Sequence, residues 1–305
     1  MPFPVVVIDI HADYVMMDRL VKDGRHGDFN IVVYYPPGAP KVGGVTAEQR
    51  ELQLSPEQLT YEAIIALLGT TLGERQKIVL RNILRRLKSE RRPFGLGDIT
   101  DLIRSKLEET DSNGKPVLKG EDRARYESLL ARLEDLGEEV SLPPTGMSVS
   151  ELLAPKTLSV ICLNGLRSRV QDAYASIIVD TLFRHQVSSK SDEKNFTPVF
   201  LFIEEAHRIA SEKSGGYAVR TISTAVREGA KFGLFITLIS QRPRNIDPDI
   251  LSNVGNYAVM RITNQQDQSV IENASESFYH RLIEDLPGLN QGEAVLVGPF
   301  VPLPA

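Results

Sequence analysis

Two adjacent carboxylates, Glu204 and Glu205, close the unbroken apolar run Val199-Phe200-Leu201-Phe202-Ile203 and are followed at once by Ala206-His207. Such a run reads as a buried parallel strand that delivers acids to the carboxyl edge of a sheet. Neighbouring strand residues point to opposite faces, so the pair can serve one reaction centre only where the strand ends and turns. The chemistry offered there is hydrolysis of a nucleoside triphosphate: Glu204 holds Mg2+, through water, and Glu205 polarises the attacking water. The same two acids also fit a solvated strand end with no reaction at all. A phosphate-cradling loop of the form G-x-x-x-x-G-K-[ST] is absent from the sequence; its one Gly-Lys pair, Gly114-Lys115, runs into Pro116.

A second apolar run, Leu234 to Ile239, ends in Ser240-Gln241-Arg242-Pro243. If it pairs with the acid-bearing strand, the Gln241 amide can hold the attacking water and sense a γ-phosphate, with Arg242 on the nucleotide. Ligands of open α/β sheets sit outside the carboxyl ends of the strands, so two polar strand ends support each other; Gln241-Arg242 also reads as an ordinary loop start. Before that run, Arg227 and Lys231 sit at the end of a helical segment. A helix C-terminus favours cations through its dipole, which explains both residues without function. Alternatively, Arg227 is an arginine supplied across a subunit boundary to stabilise transition-state charge, an effect on the order of a thousandfold in rate, and Lys231 binds the nucleotide. Asp9, His11 and Asp13 follow the first strand as a polar end beside the pocket, and their spacing alone is weak evidence for a metal site.

Stepping from side chains to elements, β-branched apolar runs recur at residues 5–10, 31–34, 158–163, 199–203, 234–239, 257–262 and 294–297. Helical spacing separates several of them, through Val170, Ala173, Ile177, Ile178 and Leu182, and through Ile222, Ala225 and Val226. Strands alternating with helices predict an α/β fold with a mostly parallel, doubly wound sheet, both faces covered. Residues 55–140 break the rhythm with helices alone. Ser55-Pro56-Glu57-Gln58 reads as a helix start, and Leu80, Ile83, Leu84 and Leu87 form a stripe with Arg81, Arg85, Arg86 and Lys88 on other faces. The expected organisation is a core over 1–54 and 141–305 with a helical insertion over 55–140.

At 305 residues and 25% charged, the composition is that of an ordinary soluble globular protein. A net charge of −5 advertises no general field for nucleic acid. One cysteine, Cys162 in an apolar run, excludes a disulfide framework and a cysteine zinc site. No run approaches the ~18 apolar residues of a membrane span, so a cytoplasmic protein without membrane contact is expected.

Taken in order, Phe202-Ile203-Glu204-Glu205-Ala206-His207, Arg227-Glu228-Gly229-Ala230-Lys231-Phe232-Gly233, Ser240-Gln241-Arg242-Pro243 and Arg261-Ile262-Thr263-Asn264 with Asp267-Gln268 closely resemble HerA, the hexameric DNA translocases of the HerA–FtsK group. Val5 to Tyr14 is similar to the strand that follows the phosphate loop in that family, and residues 288–297 to its final core strand. The resemblance implies a RecA-like core, ATP and Mg2+, a homo-hexameric ring and double-stranded DNA in its pore. It also implies a NurA-like nuclease or another effector as partner, in DNA end processing or antiviral defence. By position it makes Glu205 the catalytic acid, Glu204 the metal acid, Gln241 the sensor and Arg227 the trans-acting arginine. The family commonly has Arg-Lys where this chain has Ala230-Lys231, which leaves open the cation that reaches the neighbouring nucleotide. Its phosphate loop and β-barrel are expected ahead of residue 1, so the 305 residues by themselves are expected not to hydrolyse ATP. DNA contacts are expected near Lys213, beside Gly215-Gly216. Two rivals share the core: a conjugative-secretion or FtsK-type motor, and a non-hydrolysing scaffold.

Overall fold

The computed structural model describes residues 3–17, 30–56, 58–69, 72–190, 196–211, 216–274 and 280–301. Five of the apolar runs form β1 (Val5–Asp9), β2 (Asn30–Tyr35), β4 (Thr157–Cys162), β5 (Val199–Ile203) and β6 (Leu234–Leu238). With β3 (Glu48–Glu51) they make one six-stranded sheet in the order β3-β2-β4-β1-β5-β6, parallel throughout. Strand β3 has no apolar signature, since all four of its residues are exposed. It exists because the backbone of β2 has a free edge, on which Val32 to Tyr35 pair with Glu48 to Glu51.

The faces of the sheet differ. Val6, Ile8, Tyr34, Leu201 and Ile203 turn toward α6 (Ser168–Ser189) and α7 (Gly216–Glu228), in one continuous core with the helical module. Val7, Ile31, Val33, Val160 and Cys162 turn the other way, and among the described residues loops cover them, through Val15, Tyr14, Ala39, Val42 and Val45. Two helical layers were expected; the described residues supply one. Toward β6 even the loop cover stops. Phe200 stacks on Phe235 with centroids 5.2 Å apart and meets Phe3 in a tilted contact at 6.0 Å, and Phe235 stays 41% exposed. Strand β6 has no partner on its far side among the described residues.

The runs near 257 and 294 do not join this sheet. They form β7 (Tyr257–Val259) and β8 (Val295–Val297), antiparallel to each other. Their apolar sides close on α9 (Gln265–Ala274) and α10 (His280–Asp285) in a small separate core of Tyr257, Ile271, Ile283 and Leu286. Three residues per strand find all their ladder partners in one another, which leaves the free edge of β6 unfilled.

Between β3 and β4 lie α1 (Tyr61–Leu68), α2 (Glu74–Ser89), α3 (Leu96–Glu108), α4 (Gly120–Glu139) and the short α5 (Val149–Leu152). The first helix begins later than expected. Thr60, not Ser55, accepts the N–H of Ala63 as its cap, while Ser55 and Gln58 close a turn on each other and dock on Pro144 and Met147. The chain thus leaves and re-enters the α/β part at neighbouring points.

Candidate active site at the carboxyl edge of the sheet

Parallel pairing sets Ile203 beside Leu238 and Ile8 beside Ile203. The residues that follow therefore emerge together: Asp9 after β1, Glu204-Glu205 after β5, and Ser240-Gln241-Arg242 after β6. The N–H of Ala206 donates to the carbonyl of Ile239 at 2.9 Å, tying the last two strand ends together.

Glu204 turns inward. Its Oε2 accepts the N–H groups of Ile10 (3.1 Å) and His11 (3.4 Å), and the side chain is buried. Asp9, fully buried beside it, accepts from Ala12 (2.7 Å), Asp13 (3.1 Å) and Tyr14 (2.9 Å). The five N–H groups wrap the loop after β1 around two acids, and Ala12 takes a left-handed backbone (φ 67°) to do so. Burial pushes the Glu204 carboxyl up to about 7, with the charge of Asp9 adding to it. Burial raises Asp9 as well, opposed by its N–H donors and by a hydrogen bond with Glu204. Burial, with repulsion from Asp9 at Glu204, thus makes both carboxyls hold a proton more tightly than a free carboxyl does. By sequence, Asp9, His11 and Asp13 form a polar strand end, with only weak evidence in their spacing for a metal site. In the structure Asp9 pairs with Glu204, and no group of three or more such ligands is gathered among the described residues.

Glu205 turns away from that pocket at the corner, its side chain 12% exposed, with φ 48° and ψ 41°, a left-handed conformation that a β-carbon disfavours. That turn is what separates the two acids. His207 Nδ1 lies 3.0 Å from Glu205 Oε2 and 3.2 Å from Ser240 Oγ, whose oxygen also accepts the N–H of Arg242 at 3.0 Å. Burial lowers the His207 pKa; Glu205 opposes that shift, and Arg242 and Arg208 add to it. A neutral ring with its proton on Nδ1 donates to the carboxylate and fixes its direction. Arg208 anchors the following turn on Asp172 at 3.1 Å. Neither the His207–Ser240 link nor the Asp9–Glu204 pair was legible as a contact, because each joins strands far apart in sequence.

Gln241 and Arg242 are exposed at the same edge. Arg227 and Lys231 are not there. Helix α7 runs back along the sheet, so Arg227 in its last turn and Lys231 in the 3-10 turn after it stand at the amino end of β6. A five-residue strand, about 16 Å, separates that end from Glu205. Arg227 is exposed beside Glu228 at 3.6 Å, and the Lys231 carbonyl accepts from Lys190 Nζ at 2.7 Å. Neither cation lies beside Glu205 in its own chain, so that placement lends no support to the nucleotide role expected of Lys231. Lys213 lies outside the described residues. A groove of about 380 Å³ between α3 and α4, lined by Thr100, Glu134 and Glu138, presents acids and no phosphate-binding cation. No helix among the described residues is long and apolar enough to cross a membrane.

Comparison with known proteins agrees with the fold. VirB4 of Thermoanaerobacter pseudethanolicus superposes with a TM-score of 0.66 over 97% of this chain and 79% of its own, at 14% identity. The conjugative coupling protein TrwB, in a form titled TrwBdeltaN70, does so with a TM-score of 0.58 over 97% and 75%, also at 14%. In sequence, a probable helicase of Methanocaldococcus jannaschii is 27% identical over 237 residues, 76% of this chain and 46% of its own length. The DNA double-strand break repair helicase HerA of Saccharolobus solfataricus is 28% identical over 236 residues, 74% and 45%. The chain therefore spans about half the length of the curated relatives it matches. The model of the family described as "Helicase HerA, central domain" matches residues 2–182, from β1 into α6 and short of the acids on β5. With more than half of its residues in that match, the chain belongs to the HerA helicase central-domain family.

Proposed function

We propose that this chain is the motor part of an ATP-driven double-stranded DNA translocase. The observation that carries the reading is the convergence of Asp9, Glu204, Glu205, Ser240, Gln241 and Arg242 at the ends of three neighbouring parallel strands. In this reading Glu205, aimed by His207, polarises the attacking water. Gln241 orients that water, and Arg242 lies against the phosphates. Mg2+ fits the Asp9–Glu204 pair: a divalent cation needs only one or two carboxylates beside phosphate oxygens and water, and its charge would offset the repulsion between the two buried carboxylates. When bound, the ion supplies charge neutralisation of the phosphates.

The phosphate loop has no counterpart in the sequence. We place it on a strand paired with the free edge of β6, where Phe235 and Ile239 stand exposed. Curated relatives are about twice as long as their match to this chain, which leaves room in such proteins for that element. In a homo-hexameric ring, Arg227 or Lys231 would face the nucleotide of a neighbour, which suits their place at the opposite edge. A nuclease or effector partner in end processing or defence follows from the resemblance alone.

The test is ATP turnover of a protein carrying this chain together with a phosphate loop. Glu205→Gln is expected to cost about a hundredfold or more in kcat while nucleotide binding persists. Unchanged turnover in that variant would remove Glu205 from its role. Glu205-dependent turnover by the 305 residues alone would remove the need for an added loop.

A further inference from the structure

We infer that the outer face of α2 is a binding surface for the phosphate backbone of duplex nucleic acid. This deepens the DNA-motor reading and rests on it. The chain as a whole is acidic, yet between Glu74 and Arg92 it carries eight cations and two acids, out of 35 Lys and Arg in 305 residues. The apolar stripe Leu80, Ile83, Leu84 and Leu87 is buried, so helical geometry forces the cations outward. Lys77, Arg81, Arg85 and Lys88, at spacings of four, four and three, fall on one side of the helix and span about 16 Å.

Lys77 pairs with Glu74 at 2.6 Å, but Arg81, Arg85 and Lys88 have no carboxylate partner among the described residues, unlike the arginines of α3 and α4. Arg104 is held by Asp101 and Glu134, and Arg125 by Glu121 and Asp122. On α2, Arg81 lies flat over the Tyr61 ring at 4.4 Å, and Lys88 donates only to the Leu59 carbonyl. Arg85 is exposed without an acidic partner among the described residues. Arg91, directly after the helix, occupies a left-handed position (φ 53°) that helices ordinarily give to glycine. The exposed, carboxylate-free row Arg81, Arg85 and Lys88 meets a row of phosphates and releases their counterions, which makes binding steeply salt-dependent.

The experiment measures polarisation of a fluorescent 30-base-pair duplex by the protein across a salt series, with poly-L-glutamate as a second probe. Arg85→Glu/Lys88→Glu is compared with Lys115→Glu/Lys119→Glu, the same charge change in the turn before α4. The expected result is about tenfold or more weaker binding for the first variant and a salt slope smaller by about two. The second variant should match the unaltered protein, and all three should melt at the same temperature. Equal duplex affinity in both variants overturns the α2 surface and leaves the DNA reading standing. No duplex binding by any of the three proteins overturns both. Capture of poly-glutamate in preference to duplex also overturns the proposal, assigning the face to an acidic protein.

Discussion

At the scale of residues, the corner after β5 sorts two chemically identical side chains into different surroundings. Glu204 is folded back into a pocket of backbone N–H groups beside Asp9, whereas Glu205, one residue on, is turned away from that pocket by its left-handed backbone and met by His207. Under the proposed function His207 is a positioning residue. His207→Ala should lower kcat about tenfold with little change in KM, and His207→Asn, whose amide can still donate, should recover part of the loss; equal defects in the two variants would mean the ring only packs. Glu204 sets a pH dependence of stability in the metal-free protein. Its folded value of about 7 lies above the ordinary 4.5, so the folded state holds the proton more tightly than the unfolded chain. The stability this contributes is complete below about pH 4.5 and is lost as pH rises through about 7. Melting temperatures at pH 5 and pH 8 should differ less in Glu204→Gln than in the unaltered protein, and Mg2+ with nucleotide should raise the pH 8 value.

At the scale of elements, the passage from α7 into β6 determines where the second strand end arrives. Gly233 takes φ 70°, and a β-carbon there would stand 2.4 Å from Phe196 Cζ. Gly233→Ala is thus expected to destabilise the fold by about 1–3 kcal/mol in a denaturant titration and to lower turnover through the register of Ser240 and Gln241. Helix α2 shows the opposite economy: Arg91 sits in a glycine position, so Arg91→Gly should raise stability by about 0.5–1 kcal/mol while weakening duplex binding. Helices α2 to α4 were readable from their three-and-four spacing because each buries a single stripe. The start of α1 was misplaced because Ser55 and Gln58 use their capping groups on the 144–147 segment instead.

At the scale of the whole molecule, the exposed edge of β6 and the clustered Phe3, Phe200 and Phe235 form an apolar surface of the kind that seeks partners. Phe235→Lys/Ile239→Lys should leave the unfolding midpoint nearly unchanged. It should also remove any concentration-dependent association of the chain in sedimentation; persistent association would place the contact elsewhere. The sequence by itself determined the strands with two buried faces, the helical stripes, and the identity of the acids and amide that follow strands β5 and β6, because period and residue type are local properties. It could not show that β3 forms, since an edge strand held only by backbone pairing needs no apolar pattern. Nor could it show that β7 and β8 pair with each other, that Asp9 meets Glu204 across 194 intervening positions, or that Arg227 and Lys231 stand at the far edge from Glu205. Those are matters of strand order and helix direction, which the long-range closure of the sheet decides and no window of residues contains.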